Sequence, residues 1–500
     1  MIVSGIKVVA PEPIVTNHTM ISFTDFSTDL VQSVQDIKDA GSNRIWAYCD
    51  YYEGDYIEWM ADLMDAAQTV GIKVTPGAHG ANKGQKDIDL ILATKDHPAI
   101  FKISGKPVYT YYQFRKDLYE ETLDLLTANN LQRSDYKLLV NALYAYEIEY
   151  PLANPNTGNN LLEDFRDGLG SPYDIEYDDY TQRYYYYNDS VVIEYYSASP
   201  HKVDNGIDFM LDNYGIDGLV NFGVDKILSA TINENNWVSA ACKAKGKLFI
   251  GGYNMFYASV SFQDHGFEGT ASIWQSVIDM PVSDRPSGMS ETTANDHVEL
   301  SYMSPLMNPV VDGLAYIPDI SEGFTLGTNT RFVLTDHSGI NKFLRPFINA
   351  YKTNSETVSF GEEKIFVWYW LHPLDAPFIP TIPAEVSALG AQFTQGYWDT
   401  TVYAAANHNV PGIKFQLADS INKIRMAAHL TSPGYLKINN TLSTLKSAGP
   451  AYFEIAQALG TVTCSIIAAD GVTVRKTGVG PQPITNSIYP GAFNPMIVEL

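Results

Sequence analysis

Residues 44–76, which read RIWAYCDYYEGDYIEWMADLMDAAQTVGIKVTP, decide the fold that the chain is expected to adopt. Arg44–Tyr48 contains an isoleucine and two aromatic residues in a short run, which is typical of a buried strand. The next segment repeats apolar residues at helical spacing: Ile57, Met60, Met64, Ala67 and Val70. Gly71 follows, where a helix commonly ends, and Lys73–Pro76 again resembles a strand. This order predicts a βαβ unit with two parallel strands.

The same alternation continues along the first two-thirds of the chain. Room for a helix follows each of eight strand-like segments: Thr16–Ser22, Arg44–Tyr48, Lys73–Pro76, Pro107–Tyr112, Lys137–Leu143, Gly218–Asn221, Leu248–Gly252 and Glu291–Asn295. Eight such units predict a (β/α)8 TIM-type barrel over residues 1–355. In that fold the chemistry takes place at the C-terminal ends of the strands.

Residues 144–200 interrupt this rhythm and are predicted to form an insertion at the mouth of the barrel. The segment contains the acidic run Asp174–Tyr180 and four consecutive tyrosines at Tyr184–Tyr187. Tyrosine rings stack on sugars and also fill protein interfaces. The insertion is therefore a sugar-stacking wall, a decorated surface without a binding role, or a contact through which copies of the chain form a homo-oligomer.

Residues 356–500 have a different sequence pattern, in which short strand-like runs are separated by turn residues. The strongest run is Lys364–Leu371 (KIFVWYWL), and Asp470-Gly471 is a hairpin signal. These features predict a C-terminal all-β, sandwich-like accessory domain. It either supports the barrel or binds glycan.

Composition excludes several classes of function. The 500 residues include 33 basic and 57 acidic side chains, a net charge of −24, which argues against binding nucleic acid. The sequence has no apolar run of about 20 residues, so membrane insertion is not expected. The first residues lack the basic and long apolar regions of a secretory signal.

Metal and cofactor motifs are also missing from the sequence. Cys49, Cys242 and Cys464 are far apart, so they predict buried side chains rather than disulfides or a metal site. The histidines do not have ligand spacing, and no phosphate-binding glycine motif is found. We therefore expect no metal and no cofactor.

Thr293–Leu306, which reads TANDHVELSYMSPL, follows the start of the predicted eighth strand. Asp296 and Glu299 would serve one site if Asp296 ends the strand and Glu299 lies on the loop that follows. Paired carboxylates in a cleft are the usual catalytic groups for cleaving a glycosidic bond. The spacing alone is weak, because a chain with 57 acidic residues contains many such pairs by chance.

This stretch resembles the strand-eight motif of glycoside hydrolase family 71, the fungal-type α-1,3-glucanases or mutanases, which reads approximately TWNDYGESHYVGPL. Further segments are similar to motifs of that family in the same order: Gly246-Lys247, Trp274-Gln275, Pro346–Lys352, Trp368-Tyr369 with His372-Pro373, Leu430–Pro433 and Ile484–Asn486. The resemblance implies a (β/α)8 barrel with a C-terminal β-domain that hydrolyses α-1,3-glucan with inversion. It also implies an extracellular, cell-surface or virion-associated protein.

Carried over by position, the resemblance makes Asp296 the general base and Glu299 the general acid. It places sugar-binding groups at strand ends and beside the pair: His18, His79, Asn221, Tyr253, Asn254, Phe256, Asn295 and Tyr302. The partner would be an α-glucan-like polysaccharide. For His18, a buried hydrogen-bonded histidine is the alternative interpretation.

The departures from the family motif support a second hypothesis. Ala294 replaces a tryptophan, Val298 and Leu300 replace a glycine and a serine, and His79 replaces an aspartate. A barrel with subsites altered in this way is also compatible with a glycan-binding or structural assembly protein that has little turnover. The retained Asp296 and Glu299 favour the hydrolase.

Overall fold

The computed structural model describes the chain in segments: residues 14–20, 30–49, 56–78, 84–111, 116–141, 174–178, 183–188, 191–194, 211, 215–221, 228–258, 262–292, 310–311, 314–316, 333–334, 336–370, 423–485 and 495–500.

The first of these segments alternate strands and helices as predicted. The strands are β1 (Ile14–Met20), β2 (Arg44–Cys49), β3 (Lys73–Ala78), β4 (Lys102–Ile103), β5 (Lys106–Tyr111) and β6 (Lys137–Asn141). The helices are α1 (Leu30–Asp39), α2 (Tyr56–Val70), α3 (Gly84–Thr94) and α4 (Lys116–Ala128). Gly41 and Gly71 have positive φ after α1 and α2, which is the backbone that ends a helix on glycine.

An antiparallel sheet follows within residues 144–200, where the sequence predicts an insertion. Its strands are β7 (Asp174–Asp178), β8 (Arg183–Asn188) and β9 (Val191–Glu194), with β8 in the middle. The four tyrosines Tyr184–Tyr187 all belong to the central strand.

The alternation then resumes. The strands are β10 (Gly218–Val220), β11 (Leu248–Tyr253), β12 (Phe256–Ala258), β13 (Phe262–Asp264) and β14 (Gly288–Thr292), with helices α5 (Leu228–Ala244) and α6 (Gly266–Ile278). Strand β14 is the eighth barrel strand, and it begins three residues before the predicted start at Glu291.

Eight parallel strands close into a barrel, in the order β1, β2, β3, β5, β6, β10, β11, β14 and back to β1. Closure is made on one side by Gly77 of β3, which pairs with Thr110 of β5. On the other side β14 pairs with β1, from Ile14 opposite Gly288 to His18 opposite Thr292. The (β/α)8 fold class is therefore confirmed.

The remaining described elements are small and larger antiparallel sheets and helix α7, which lies within the predicted barrel range 1–355. These elements are β15 (Val310–Val311), β16 (Leu314–Tyr316), β17 (Val333–Leu334), α7 (Gly339–Lys352), β18 (Lys364–Trp370), β19 (Lys423–Leu430), β20 (Gly434–Ile438), β21 (Thr441–Leu442), β22 (Gly449–Ala456), β23 (Thr463–Ala468), β24 (Val474–Val479) and β25 (Pro495–Glu499). Strands β22-β19-β18-β25 form one four-stranded sheet, and β21-β20-β23-β24 form a second. Apolar side chains of both sheets share one core, as the predicted all-β character requires.

The first of these two sheets also packs against the barrel helices. Phe267 of α6 and Phe343 of α7 have ring contacts with Phe366 of β18, at 6.4 and 5.4 Å between centroids. One apolar cluster thus includes barrel helices and the C-terminal sheet. The division at residue 355 stays a prediction.

Two further expectations concern single features. The side chains of Cys242 and Cys464 are buried, as predicted, whereas the side chain of Cys49 is not among those described. In the part of the chain that the structure describes, no helix is long and apolar enough to cross a membrane.

Candidate functional site

The barrel interior changes character along the strands. One layer of it is filled by apolar side chains that pack together, among them Ile14, Val108, Val220 and Ile250. Further along, the inward positions carry small or polar residues: Thr75, Gly77, Thr110, Gly252 and Ser290. The barrel therefore has an apolar floor, and the side chains are smaller towards the edge where the chemistry of this fold takes place.

Trp46 of β2 is the large ring that lies over this floor. A Cβ atom built on Gly77 would lie 2.7 Å from the indole Nε1 of Trp46 and 2.5 Å from Oγ1 of Thr110. Such distances are far inside van der Waals contact, so the ring occupies the space that glycine leaves. The arrangement explains why β3 carries a glycine at an inward position.

Strand β14 ends at this edge of the barrel, directly before the Asp-Glu motif in the sequence. It ends at Thr292, whose backbone lies beside that of His18 in β1, and His18 in turn pairs with Trp46. His18 is therefore near the C-terminal end of its strand, as the sequence predicts, although its side chain is not described.

Five of the candidate residues lie outside the described residues: His79, Asn295, Asp296, Glu299 and Tyr302. Their roles remain predictions. Thr293, the first residue of the motif, directly follows the end of β14.

Asn221 and Asn254 each directly follow a barrel strand. Asn221 comes after β10, and its backbone N–H donates to the carbonyl oxygen of Ile250 at 2.8 Å. Asn254 comes after β11, and both side chains are buried, at 2% and 1% exposure. The two carboxamides lie at neighbouring strand ends, and their sugar-binding role stays a prediction.

Tyr253 is placed differently from what a sugar contact requires. Its ring lies 4.8 Å from that of Trp274 in α6, in the layer between the barrel and its helices. Its hydroxyl donates to Oε2 of Glu291 at 3.3 Å. Both side chains are fully buried, so Tyr253 joins strands seven and eight from outside the barrel.

Glu291 is a buried carboxyl that the sequence analysis did not single out. Only Tyr253 donates to it among the described residues, and its Oε1 atom has no hydrogen-bond partner there. Burial raises the pKa of the Glu291 carboxyl well above its usual range, and the Tyr253 hydrogen bond opposes this only in part. Its sequence signal is weak, because Glu291 is the first residue of the predicted strand, where an exposed side chain is expected, whereas the observed strand already begins at Gly288.

Asn235 of α5 holds the end of strand β11. Its carboxamide nitrogen donates to the carbonyl oxygen of Gly252 at 2.8 Å, and its Oδ1 accepts from the Gly252 N–H at 3.0 Å. The side chain thus makes the pair of hydrogen bonds that a neighbouring strand would make. It fixes the backbone next to Asn254.

Phe256 lies on a short hairpin between β11 and α6. Its backbone pairs with Asp264 in the β12–β13 ladder, and its side chain is not described. The His265 N–H donates to the carbonyl oxygen of Met255 at 3.1 Å. This bond places the start of α6 beside the C-terminal end of strand seven.

Known proteins offer little further guidance on this site. No family model and no curated protein matches the chain. A GH99 endo-α-mannosidase from Bacteroides thetaiotaomicron superposes with a TM-score of 0.39 at 14% identity, over 65% of this chain and 80% of that one. Its complex with Bis-Tris propane gives 0.41 at 13% identity, over 69% and 99%. An endo-β-1,4-mannanase from Thermotoga petrophila gives 0.35 at 9% identity, over 96% and 99%. TM-scores and identities this low assign the chain to none of these families.

Proposed function

We propose that the chain is a glycoside hydrolase that cleaves an α-glucan, with α-1,3-glucan as the first candidate, and that it inverts the anomeric centre. Asp296 is the general base and Glu299 the general acid. The substrate is a polysaccharide, and the proposed setting is extracellular, on a cell surface or on a virion.

One observation carries this proposal. The described chain is a closed (β/α)8 barrel, and its eighth strand runs directly into the sequence TANDHVE at the edge where catalytic groups of this fold lie. The residues just below that edge include Gly252 and Ser290, which are small or polar, in contrast to the apolar floor. The place of the Asp-Glu motif in the chain and its two carboxylic residues therefore both support glycoside hydrolysis.

The proposed reaction is a single displacement. Glu299 gives its proton to the departing glycosidic oxygen while Asp296 takes a proton from water, which attacks the anomeric carbon from the opposite face. The C–O bond to the leaving sugar breaks as the new C–O bond forms. Asp296 ends protonated and Glu299 ionised, and exchange with solvent restores both groups.

Reducing-sugar release from α-1,3-glucan tests this function. We expect turnover by the full chain and a loss of about a hundredfold or more in Asp296→Asn and in Glu299→Gln. Glu58→Gln, an exposed substitution in the first turn of α2, is the control that should retain activity. Absence of turnover on a broad panel of α- and β-glucans would contradict the proposal.

A second function is favoured by the sheet at β7–β9. Its central strand carries Tyr184–Tyr187, and among the described residues its two outer strands pair only with that strand. Open strand edges are a common way to join protein chains. On this hypothesis the barrel is a glycan-binding or structural subunit with little turnover.

Light scattering of the purified chain separates the two functions. A hydrolase that acts alone should have the mass of one 55.5 kDa chain. A structural subunit should form larger particles that dissociate when Tyr185 and Tyr187 are both replaced by serine.

A further inference from the structure

We propose that the cleft between the start of α6 and strands β19 and β22 is a second sugar-binding subsite, which holds a distal unit of the polysaccharide chain. This inference rests on the proposed function, because it extends the path of the same substrate. The cleft has a volume of about 440 Å³, in the range of small-molecule sites.

The position of the cleft connects it with the barrel mouth. Helix α6 starts beside the C-terminal end of strand β11, where the His265 N–H bonds to Met255. His265 and Glu268 line the barrel side of the cleft, and Arg425 and Glu454 line the opposite side. The cleft therefore lies beside the end of strand seven, on the path that we propose for a polysaccharide chain leaving the barrel there.

The charges that line the cleft are balanced. Arg425 and Lys446 are cationic, and Glu268 and Glu454 are anionic. An anion would meet two carboxylates here, and a metal ion would meet two cations. Neutral hydroxyl groups, which both donate and accept hydrogen bonds, match a mixed set of this kind.

Two of these groups are held in place by their neighbours. The Arg425 guanidinium lies 4.9 Å from the centroid of the Trp368 ring, and its Nε is 3.5 Å from Oε2 of Glu454. Lys423 holds the other carboxylate oxygen of Glu454 at 2.8 Å. A planar guanidinium and a carboxylate fixed side by side can each bind a pair of adjacent sugar hydroxyls.

Tyr452 supplies an aromatic wall beside them. Its ring has an edge contact with Phe343 of α7 at 6.3 Å, so its orientation is fixed by the apolar cluster behind it. An aromatic ring next to paired polar groups is the combination that accommodates a pyranose, with one apolar face and polar edges.

Calorimetric titration of short and long α-1,3-linked glucooligosaccharides tests the inference. A Glu299→Gln background prevents hydrolysis of the probes. We expect long probes to bind more tightly than short ones, and the double variant Glu268→Gln with Lys446→Met to bind long probes about tenfold more weakly. Short probes, which stay in the barrel, should bind this variant as they bind the background protein.

The matched control is Glu58→Gln, because Glu58 and Glu268 both lie in the first turn of a helix and both are exposed. It should change neither titration. Hydrogen exchange provides a second readout: long probes should protect amides of residues 266–268 and 452–454, and short probes should not.

The outcomes separate the subsite from the catalytic proposal. Equal binding of long probes by the double variant and the control, without protection at α6, overturns the subsite even if wild-type protein hydrolyses α-1,3-glucan. If the double variant binds long probes more weakly but the wild-type protein shows no turnover, the subsite is retained and the hydrolase is overturned. A chain that binds no probe overturns both.

Discussion

Glu291 and His429 are buried titratable side chains that the proposed mechanism does not use. Glu291 lies between the barrel and α6, and burial raises the pKa of its carboxyl. His429 of β19 lies among Phe343, Phe360 and Phe366, and burial lowers the pKa of its imidazole to about 4. Both groups are therefore favoured in their neutral forms, and they make stability depend on pH in opposite directions.

In the Glu291→Gln variant, the free energy of unfolding should decrease less steeply with rising pH than it does in the wild-type protein. The folded protein keeps the Glu291 proton to a higher pH than the unfolded chain, whose carboxyl titrates near 4.5. The contribution is complete below that pH and is lost as pH rises towards the folded pKa, by up to about 1.4 kcal/mol per pH unit. Urea unfolding between about pH 5 and 8 measures this slope. An unchanged slope in the variant would contradict a neutral buried carboxyl.

His429→Leu should have the opposite effect, on the acid side. The unfolded imidazole takes up a proton near pH 6.5, and the folded imidazole takes one up only at about pH 4. Stability from this site is present above pH 6.5 and is lost as pH falls towards 4, by about 3 kcal/mol in all. The variant should resist acid better than wild type, with His97→Leu, a half-buried histidine, as the comparison. Equal acid sensitivity of wild type and His429→Leu would count against this account.

At the scale of elements, side chains from the helices complete the barrel. Strand β10 is short, and Asn235 of α5 makes the two hydrogen bonds to Gly252 that strand β10 does not reach. Glycine at position 77 leaves the space that Trp46 fills. These contacts position the strand ends on which the proposed site depends.

Asn235→Ala should destabilise the protein by about 2–4 kcal/mol, because it leaves the N–H and the carbonyl of Gly252 buried without partners. Thermal unfolding measures the loss. Asn129→Ala is the control, since its amide bonds to the Leu125 carbonyl at a helix end that solvent reaches. An equal loss of stability in both variants would mean that the buried hydrogen bonds to Gly252 stabilise the protein no more than the Asn129 bond does.

The helices and strands can be predicted well from local sequence patterns. The directions of their side chains are predicted less well. Apolar spacing and the glycines Gly41 and Gly71 locate α1 and α2 because both signals are local. Strand eight begins at Gly288 rather than at Glu291, since Gly-Met-Ser has weak β-propensity and its place is set by pairing with β1. For the same reason the helix-facing direction of Tyr253 and Glu291 is decided by register, which sequence pattern does not show.

At the scale of the molecule, the barrel helices and the C-terminal sheet share one apolar cluster. Phe343 is its centre, with ring contacts to Phe267, Phe347, Phe366 and His429. A shared core of this kind predicts that the two parts unfold together.

Phe343→Ala should therefore lower the unfolding temperature of the whole chain in a single transition, with a loss of about 3–5 kcal/mol. Circular dichroism and tryptophan fluorescence should report the same midpoint. The fragment 1–355 should be insoluble or expanded, because it exposes Phe267 and Phe343. Two separate transitions, or a stable fragment, would show that the parts are independent.

The measurement that tests the central claim most directly is proton NMR of α-1,3-glucan oligosaccharides during the first turnovers. Inversion of an α-linkage predicts that the β-anomer of the new reducing end appears first, before mutarotation. Asp296→Asn and Glu299→Gln should yield no signal over the same time. A first product in the α-configuration would contradict the inverting pair, and the absence of any new reducing end would contradict the hydrolase itself.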